Sequence, residues 1–391
     1  MEWDVPSNAP KIPTFRVLND MNRIDDKSRM SSDITSSEVL KWYKNMLTVN
    51  IMDAIMFDAQ RHGRVSFYMV LIPSAMKGLV CATNKLTLHN REHGVFLQRG
   101  FELKDFMSQL AANCNDPGKG RNMPVHYSGR SKVGVHAVAS TLGTQIPHAA
   151  GAGYALKMQD REDTSSPPRV AVAYFGEGAA SEGDFHGALN IASVIQSPVL
   201  FICRNNGFAI STPASEQYKG DGIASRGRGY GIESLRVDGT DIFAVYEATK
   251  AAREKALEGG GRPILLEFMS YRISHHSTSD DSLAYRSADD VAYWKSPQRD
   301  PISRLFQWLK NEGVWNEELD AEARKQIRKD VIRELTMAER EKKPELRAVF
   351  DDVYAELTEE ARSQREELKR LIQKYPGEYD AEQHVGGIEG L

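Results

Sequence analysis

The middle of the chain alternates continuous apolar segments with amphipathic ones, and this alternation constrains the fold more than any other feature. Residues 169–175, 198–204 and 263–271 are apolar runs of strand length, and apolar residues recur at helical spacing over 183–196 and 241–258. Strands that are apolar on both faces lie inside a sheet covered by helices, and helical crossovers join parallel neighbours. The pattern therefore predicts an α/β fold with a parallel sheet and helices on both faces.

The regions that flank this alternating segment have a different character. Residues 1–36 are polar and contain prolines, which predicts an extended N-terminal arm. From Ser37 to about Arg61 apolar residues recur at helical spacing, so we expect a helix there. Beyond the last predicted strand the chain continues in highly charged helical segments. We therefore predict an α/β domain over 37–300 and a C-terminal helical region over 301–391.

Composition and charge exclude several classes of protein. The 391-residue chain has a net charge of −4 and no basic stripe with interleaved aromatic residues, so we expect no nucleic-acid partner. No apolar run approaches the length of a membrane span, so we expect no membrane partner. The three cysteines lack paired spacing, which indicates a reducing compartment and neither disulfides nor a zinc site. The N-terminus resembles neither a signal peptide nor a transit peptide, which predicts a cytosolic protein or a targeting segment removed or omitted.

Two turns at the ends of predicted strands carry the candidate chemistry. One has the sequence Gly-Glu-Gly-Ala at 176–179, and the other has Arg-Asn-Asn-Gly at 204–207. Ligands bind at the carboxyl ends of parallel strands, where glycines let the backbone approach a phosphate. Glu177 and Asn206 offer the hard oxygen atoms that Mg²⁺ prefers, and Arg204 can neutralise a phosphate. Either turn alone is more typical of a plain tight turn, but together they indicate a site for a metal-bound diphosphate.

These two turns, with one helix and one strand between them, resemble the motif of thiamine diphosphate-dependent enzymes, in which Glu177 stands where aspartate is usual. The polar loop over 271–287, with its adjacent histidines, resembles the phosphorylation loop of the alpha subunits of branched-chain 2-oxoacid dehydrogenases. The similarity covers about residues 37–375. The chain resembles pyruvate dehydrogenase alpha subunits less closely, because their residues after the asparagine pair and in this loop differ from those of this chain. Further similar stretches are GKGRNMPVHY (118–127), TQIPHAAGAGYALK (144–157), FGEGAASEGD (175–184), RNNGFAISTPASEQYKGDGIA (204–224), RVDGTDIFAVYEATKAAR (236–253) and ISRLFQWL (302–309).

The resemblance implies roles for particular residues. Mg²⁺ would be held by Glu177, Asn206 and the backbone carbonyl of Phe208, where the family usually has tyrosine. His276 would lie beside the diphosphate and the reacting carbon, where it can donate or accept protons. The contacts implied for thiamine diphosphate are Arg91, Ser140, Gly178, Ala179, Arg204 and His276, and those implied for a monovalent cation such as K⁺ are Thr144 and Gln145.

The resemblance also implies an activity and a set of partners. The expected reaction is the oxidative decarboxylation of branched-chain 2-oxoacids from valine, leucine and isoleucine, with transfer of the acyl group to a lipoyl acyltransferase. Two alpha chains would assemble with two beta chains, and we expect the apolar helix around Leu40 to Ile55 to present a partner-facing surface. A kinase and a phosphatase would act on Ser277 as the dominant site and Ser287 as a lesser one. The expected compartment is the mitochondrial matrix.

Two segments leave other functions open at this point. Residues 69–90 and 128–141 depart from the family pattern, and Asn90 replaces a tyrosine that binds the cofactor. A catalytically impaired paralogue that still assembles with the beta chain is therefore an alternative interpretation. A pyruvate dehydrogenase-type alpha subunit is a further alternative. A nucleotide-binding protein is disfavoured, because the chain has neither a P-loop lysine nor a complete G-x-G-x-x-G motif.

Overall fold

The computed structural model describes residues 3, 9–69, 85–88, 92–128, 133–165 and 167–391, with the backbone alone for 85–88. Several sequence predictions concern residues outside these ranges. Arg91, predicted to contact thiamine diphosphate, is one of them, and Asn90 is another. Most of the divergent segment 69–90 and part of the segment 128–141 also lie outside the described residues.

A parallel sheet forms the centre of the described structure. Its strands run in the order β1-β7-β8-β4-β3-β2, and every neighbouring pair is parallel. A short antiparallel pair, β5 and β6, follows β4. The strands are β1 (Thr14–Phe15), β2 (Lys85–Leu88), β3 (Ala171–Gly176), β4 (Val199–Asn205), β5 (Phe208–Ala209), β6 (Thr212–Pro213), β7 (Glu233–Asp238) and β8 (Ile264–Met269).

Helices cover both faces of this sheet and continue beyond it. In chain order they are α1 (Ser36–Arg61), α2 (His93–Gln98), α3 (Leu103–Leu110), α4 (Gln145–Glu162), α5 (Gly183–Ile195), α6 (Ala214–Gln217), α7 (Ile242–Leu257), α8 (Ala288–Lys295), α9 (Pro301–Asn311), α10 (Glu317–Arg340) and α11 (Glu359–Lys374). The helix predicted from Ser37 is thus α1, which begins one residue earlier and is capped by Thr35.

The sheet separates two apolar clusters, because successive side chains of a strand point to opposite faces. Val172 and Tyr174 of β3 belong to a cluster that includes side chains of α1, α7, α9 and α10. Ala173 and Phe175 belong to a second cluster with α4 and α5. The predicted fold class, a parallel sheet with helices on both faces, is confirmed. The predicted boundaries at residues 36 and 300 stay predictions.

The N-terminal arm and α1 differ in part from expectation. The arm is extended, but it also adds an edge strand, since β1 pairs with β7, and Asp241 accepts hydrogen bonds from the backbone N–H groups of Val17 and Leu18 (2.8 and 2.6 Å). The prediction that the apolar helix around Leu40 to Ile55 faces a partner is wrong. Tyr43 and Leu47 are fully buried in the chain's own core, because α1 packs against α9 and α10.

Candidate active site

A cavity of about 410 Å³ lies at the carboxyl ends of β3 and β4. The two strands are neighbours, and Gly176 pairs in register with Arg204, so the turns that follow them are brought side by side. Thr144 and Gln145 are not among the described residues that line the cavity. The predicted site residues that do line it are Ser140, Glu177, Gly178, Ala179, Arg204, Asn206, Phe208 and His276.

The Arg-Asn-Asn sequence at the end of β4 divides its side chains between two environments. Arg204 and Asn206 line the cavity, whereas Asn205 is buried away from it, as expected from the alternation of side chains along a strand. The Asn205 amide nitrogen donates to Glu267 (2.8 Å) and Tyr218 (3.1 Å), and its oxygen accepts from the backbone N–H of Gly207 (3.1 Å). Asn205 therefore holds the turn that places Asn206.

Gly178 allows the two turns to approach each other closely. A Cβ atom at this position would lie only 2.7 Å from the Cβ atom of Ala209, which is much shorter than a van der Waals contact. Because Ala209 belongs to β5, directly after the second turn, a side chain at Gly178 would force the two turns apart. Glycine is required here by packing, which also keeps the backbone open towards the cavity.

Glu177 is the principal electrostatic feature of the cavity. It is fully buried, and its Oε2 atom accepts from the backbone N–H (3.1 Å) and the side-chain amide (3.4 Å) of Asn206. Burial raises the pKa of Glu177 to about 7, although Arg204 and Arg272 favour the charged form. Among the described residues, Glu177 Oε1 and Asn206 Oδ1 are buried without hydrogen-bond partners. Two hard oxygens on adjacent turns, both without a partner within the described ranges, fit a divalent cation such as Mg²⁺.

Two arginines add positive charge to the cavity. The Arg204 guanidinium forms an ion pair with the buried carboxylate of Glu92, with 2.6 Å between Nη1 and Oε1. Arg272 is 1% exposed and donates through Nη2 to the backbone carbonyl of Ile210 and to the Tyr285 hydroxyl. Sequence reasoning did not identify Glu92 or Arg272. The sequence feature that could have pointed to Arg272 is its position shortly after the apolar strand β8, at the edge of the sheet where ligands bind.

The loop that follows β8 is held in place by its own side chains. The Asp280 carboxylate accepts from the backbone N–H of His276 (2.6 Å) and from the Tyr285 hydroxyl (2.7 Å). This arrangement keeps His276 at the cavity wall. The two serines predicted to be phosphorylated occupy different environments, because Ser277 is buried and Ser287 is exposed at the N-terminus of α8.

Thr144 and Gln145 brace the segment that carries Ser140. The Gln145 amide nitrogen donates to the carbonyl of Ala137 (2.8 Å), and the Thr144 hydroxyl donates to the carbonyl of Thr141 (3.3 Å). The Gln145 side-chain oxygen is buried with no hydrogen-bond partner in the described part of the chain. These contacts fix the loop that brings Ser140 to the cavity, and the predicted cation at Thr144 and Gln145 stays a prediction.

Comparison with known proteins places the chain in a family. Residues 43–347 match the family model described as "Dehydrogenase E1 component". The chain belongs to the dehydrogenase E1 component family. Membership implies thiamine diphosphate as the cofactor in general terms, in agreement with the resemblance carried by the two turns. No helix within the described ranges is long and apolar enough to cross a membrane.

Relatives of this family resemble the chain along almost its whole length. The mitochondrial 2-oxoisovalerate dehydrogenase subunit alpha of Mus musculus is 48% identical over 384 residues, which cover 97% of this chain and 85% of that protein. The corresponding protein of Homo sapiens is 46% identical over 384 residues, covering 97% and 84%. Subunit alpha 2 of Arabidopsis thaliana is 43% identical over 381 residues, covering 96% and 79%.

Proposed function

We propose that this chain is the alpha subunit of a branched-chain 2-oxoacid dehydrogenase and takes part in the oxidative decarboxylation of branched-chain 2-oxoacids in the mitochondrial matrix. The observation that supports this most strongly is the cavity at the ends of β3 and β4. It gathers Glu177, Arg204, Asn206 and His276 around two buried oxygens that have no hydrogen-bond partner among the described residues. The chain is also similar along nearly its whole length to 2-oxoisovalerate dehydrogenase alpha subunits.

Different residues of the site would bind the metal ion and the diphosphate. Glu177, Asn206 and the carbonyl of Phe208 would hold Mg²⁺, while Arg204 would neutralise the diphosphate. The resemblance implies that Arg91, which lies outside the described residues, shares this role. The Phe208 side chain packs against Tyr271 and Tyr285, so the loss of the tyrosine hydroxyl usual in the family leaves the carbonyl role intact. Gly178, Ala179 and Ser140 line the cavity wall, where they would complete the cofactor contacts.

Thiamine diphosphate supplies a nucleophilic carbon and an electron sink for decarboxylation of the 2-oxo acid. His276 would exchange a proton with the substrate oxygen as charge develops on it, and Asp280 holds the backbone of His276 in place for this role. Apolar side chains of Met69, Leu142 and Ile210 also line the cavity. They would provide an apolar surface suited to an aliphatic acyl chain.

The beta subunit would complete this site from the side of α4 and α5. Four apolar side chains of these helices are exposed, and we call them the α4–α5 face: Tyr154, Met158, Ile191 and Val194. Leu142 and Glu182, which precede α4 by three residues and α5 by one, both line the cavity, so the two helices begin beside it. An exposed apolar face of this kind marks an interaction surface. The acyltransferase, kinase, phosphatase and K⁺ implied by the resemblance are further parts of the proposal.

Val194→Arg is expected to weaken association with the beta subunit by at least about tenfold, or about 1.4 kcal/mol, because it places a charge in an apolar contact. Val194 is 74% exposed, so the alpha chain itself should fold normally. Co-expression followed by size-exclusion chromatography with light scattering measures the assembly. Val349→Arg is the matched control, because Val349 is 66% exposed and the carbonyl of its neighbour Ala348 accepts from Arg121, which belongs to neither α4 nor α5. Equal assembly of both variants would contradict the assignment of the face.

The proposed function is tested with the chain co-expressed with its beta subunit. Isothermal titration of thiamine diphosphate in the presence of Mg²⁺ should show saturable binding, and turnover of 3-methyl-2-oxobutanoate should exceed that of pyruvate. Assembly without cofactor binding would instead indicate an impaired paralogue. Faster turnover of pyruvate would indicate a pyruvate dehydrogenase-type subunit.

A further inference from the structure

We propose that Glu92 is a positioning residue, which orients Arg204 towards the diphosphate of the cofactor. The proposal rests on the function proposed above. Glu92 Oε1 lies 2.6 Å from Arg204 Nη1, and the two side chains are 4% and 8% exposed. Of the two, only Arg204 is among the described residues that line the cavity. Glu92 therefore stands behind the arginine and would act on the cofactor through it.

Both partners of this ion pair are attached to rigid elements. Arg204 belongs to β4 in the centre of the sheet, where it pairs in register with Gly176 on one side and Phe268 on the other. Glu92 occupies the N-cap position of α2, and its backbone carbonyl accepts from the backbone N–H of Val95 (2.9 Å). Helix α2 is anchored in turn, because Phe96 is 1% exposed among packed aromatic rings. The carboxylate can therefore fix the position of the guanidinium.

The geometry of a guanidinium makes this positioning effective. Its N–H donors lie in one rigid plane, so an ion pair at Nη1 also sets the direction of the remaining donors. The Arg204 Nε atom is buried and has no hydrogen-bond partner among the residues that the structure describes. One edge of the guanidinium is thus held by Glu92, while donor capacity remains for an anion in the cavity.

The main competing explanation is that the pair only stabilises the fold. Apolar side chains of similar volume often stabilise a fold as well as a buried ion pair does, so the pair is weak evidence for a role in stability. Its position beside the cavity instead favours a role in binding. The chain offers a matched pair for comparison. Arg304 Nη1 lies 3.1 Å from Asp238 Oδ2, with side-chain exposures of 4% and 9%, and neither residue lines the cavity.

The test compares cofactor affinity in the assembled alpha–beta complex at saturating Mg²⁺. Glu92→Gln is expected to raise the Kd of thiamine diphosphate and of inorganic pyrophosphate by about tenfold, which is the effect of disturbing one charged hydrogen bond. Arg204→Lys should weaken both ligands, and the double variant should be no weaker than Arg204→Lys alone, because Glu92 acts through Arg204. Glu92→Asp, which keeps the charge, should recover part of the affinity. Asp238→Asn should lower the Tm and leave both Kd values unchanged.

The outcomes separate this inference from the proposed function. A Glu92→Gln complex that binds both ligands within about twofold of the wild type, while Arg204→Lys binds weakly, would overturn the positioning role alone. Additive losses in the double variant would overturn it as well, because they would show that Glu92 acts independently of Arg204. If the wild-type complex binds neither ligand, the proposed function fails first, and the positioning role fails with it. If Glu92→Gln does not fold, Glu92→Asp provides the same comparison with a smaller expected change.

Discussion

Replacing Glu177 with alanine is expected to abolish Mg²⁺-dependent binding of thiamine diphosphate. Glu177 is the fully buried carboxylate of the cavity, and its Oε1 atom has no hydrogen-bond partner in the described part of the chain. Loss of residues that merely support a ligand costs about 10 to 100-fold in metal affinity, so loss of a ligand itself should cost at least about 100-fold. Titration of thiamine diphosphate with and without Mg²⁺ into the co-expressed complex measures the effect.

The same substitution should leave the protein folded. Alanine removes the acceptor for the backbone N–H of Asn206, which costs about 1–3 kcal/mol, but it also removes a carboxylate whose burial is unfavourable without a cation. The Tm of the ligand-free complex should therefore change little. Asp184→Ala is the control, because Asp184 is an exposed acid in the first turn of α5. Unchanged cofactor affinity in Glu177→Ala would remove Glu177 from the metal site.

The sheet and the position of the site could be predicted from the sequence because each depends on local patterns. A strand buried on both faces must be apolar along its length, so the run at 198–204 predicted β4 within one residue at each end. The turns after β3 and β4 could be placed side by side because parallel strands end at the same edge of a sheet. The sequence alone therefore predicts that Glu177 and Asn206 lie on adjacent turns.

Other features depend on contacts between distant parts of the chain and left no local signal. Strand β1 has only two residues within a polar arm, and its pairing with β7 spans more than 200 positions in the chain. The ion pair of Glu92 and Arg204 likewise joins α2 to β4. The apolar pattern of α1 indicates a face that must be covered, but it does not identify what covers it, and the prediction of a partner-facing surface was wrong. The partner turned out to be the chain's own C-terminal helices, not another subunit.

Ser277→Glu is expected to remove most of the turnover of the assembled complex. Ser277 is 7% exposed, its hydroxyl accepts from the backbone N–H of Ser279 (3.2 Å), and its carbonyl accepts from the backbone N–H of Asp280 (3.2 Å). A carboxylate cannot remain unpaired there, since a buried uncompensated charge costs about 3 kcal/mol or more. The loop should leave its position, and His276 should leave the cavity with it, as phosphorylation of Ser277 would also cause by repulsion from the diphosphate.

Ser287→Glu should lose little turnover, and the structure explains the contrast. Ser287 is exposed and caps α8, where its hydroxyl accepts from the backbone N–H of Asp290 (3.0 Å). Loss of such a cap costs about 1 kcal/mol, and a negative charge at a helix N-terminus is tolerated. Steady-state turnover and limited proteolysis of the complex with cofactor bound distinguish the two variants, because the loop should be cleaved only in Ser277→Glu. Ser277→Ala should keep both activity and protection, since it removes one hydrogen bond without adding charge. Full activity and a protected loop in Ser277→Glu would mean that this serine does not control the position of His276.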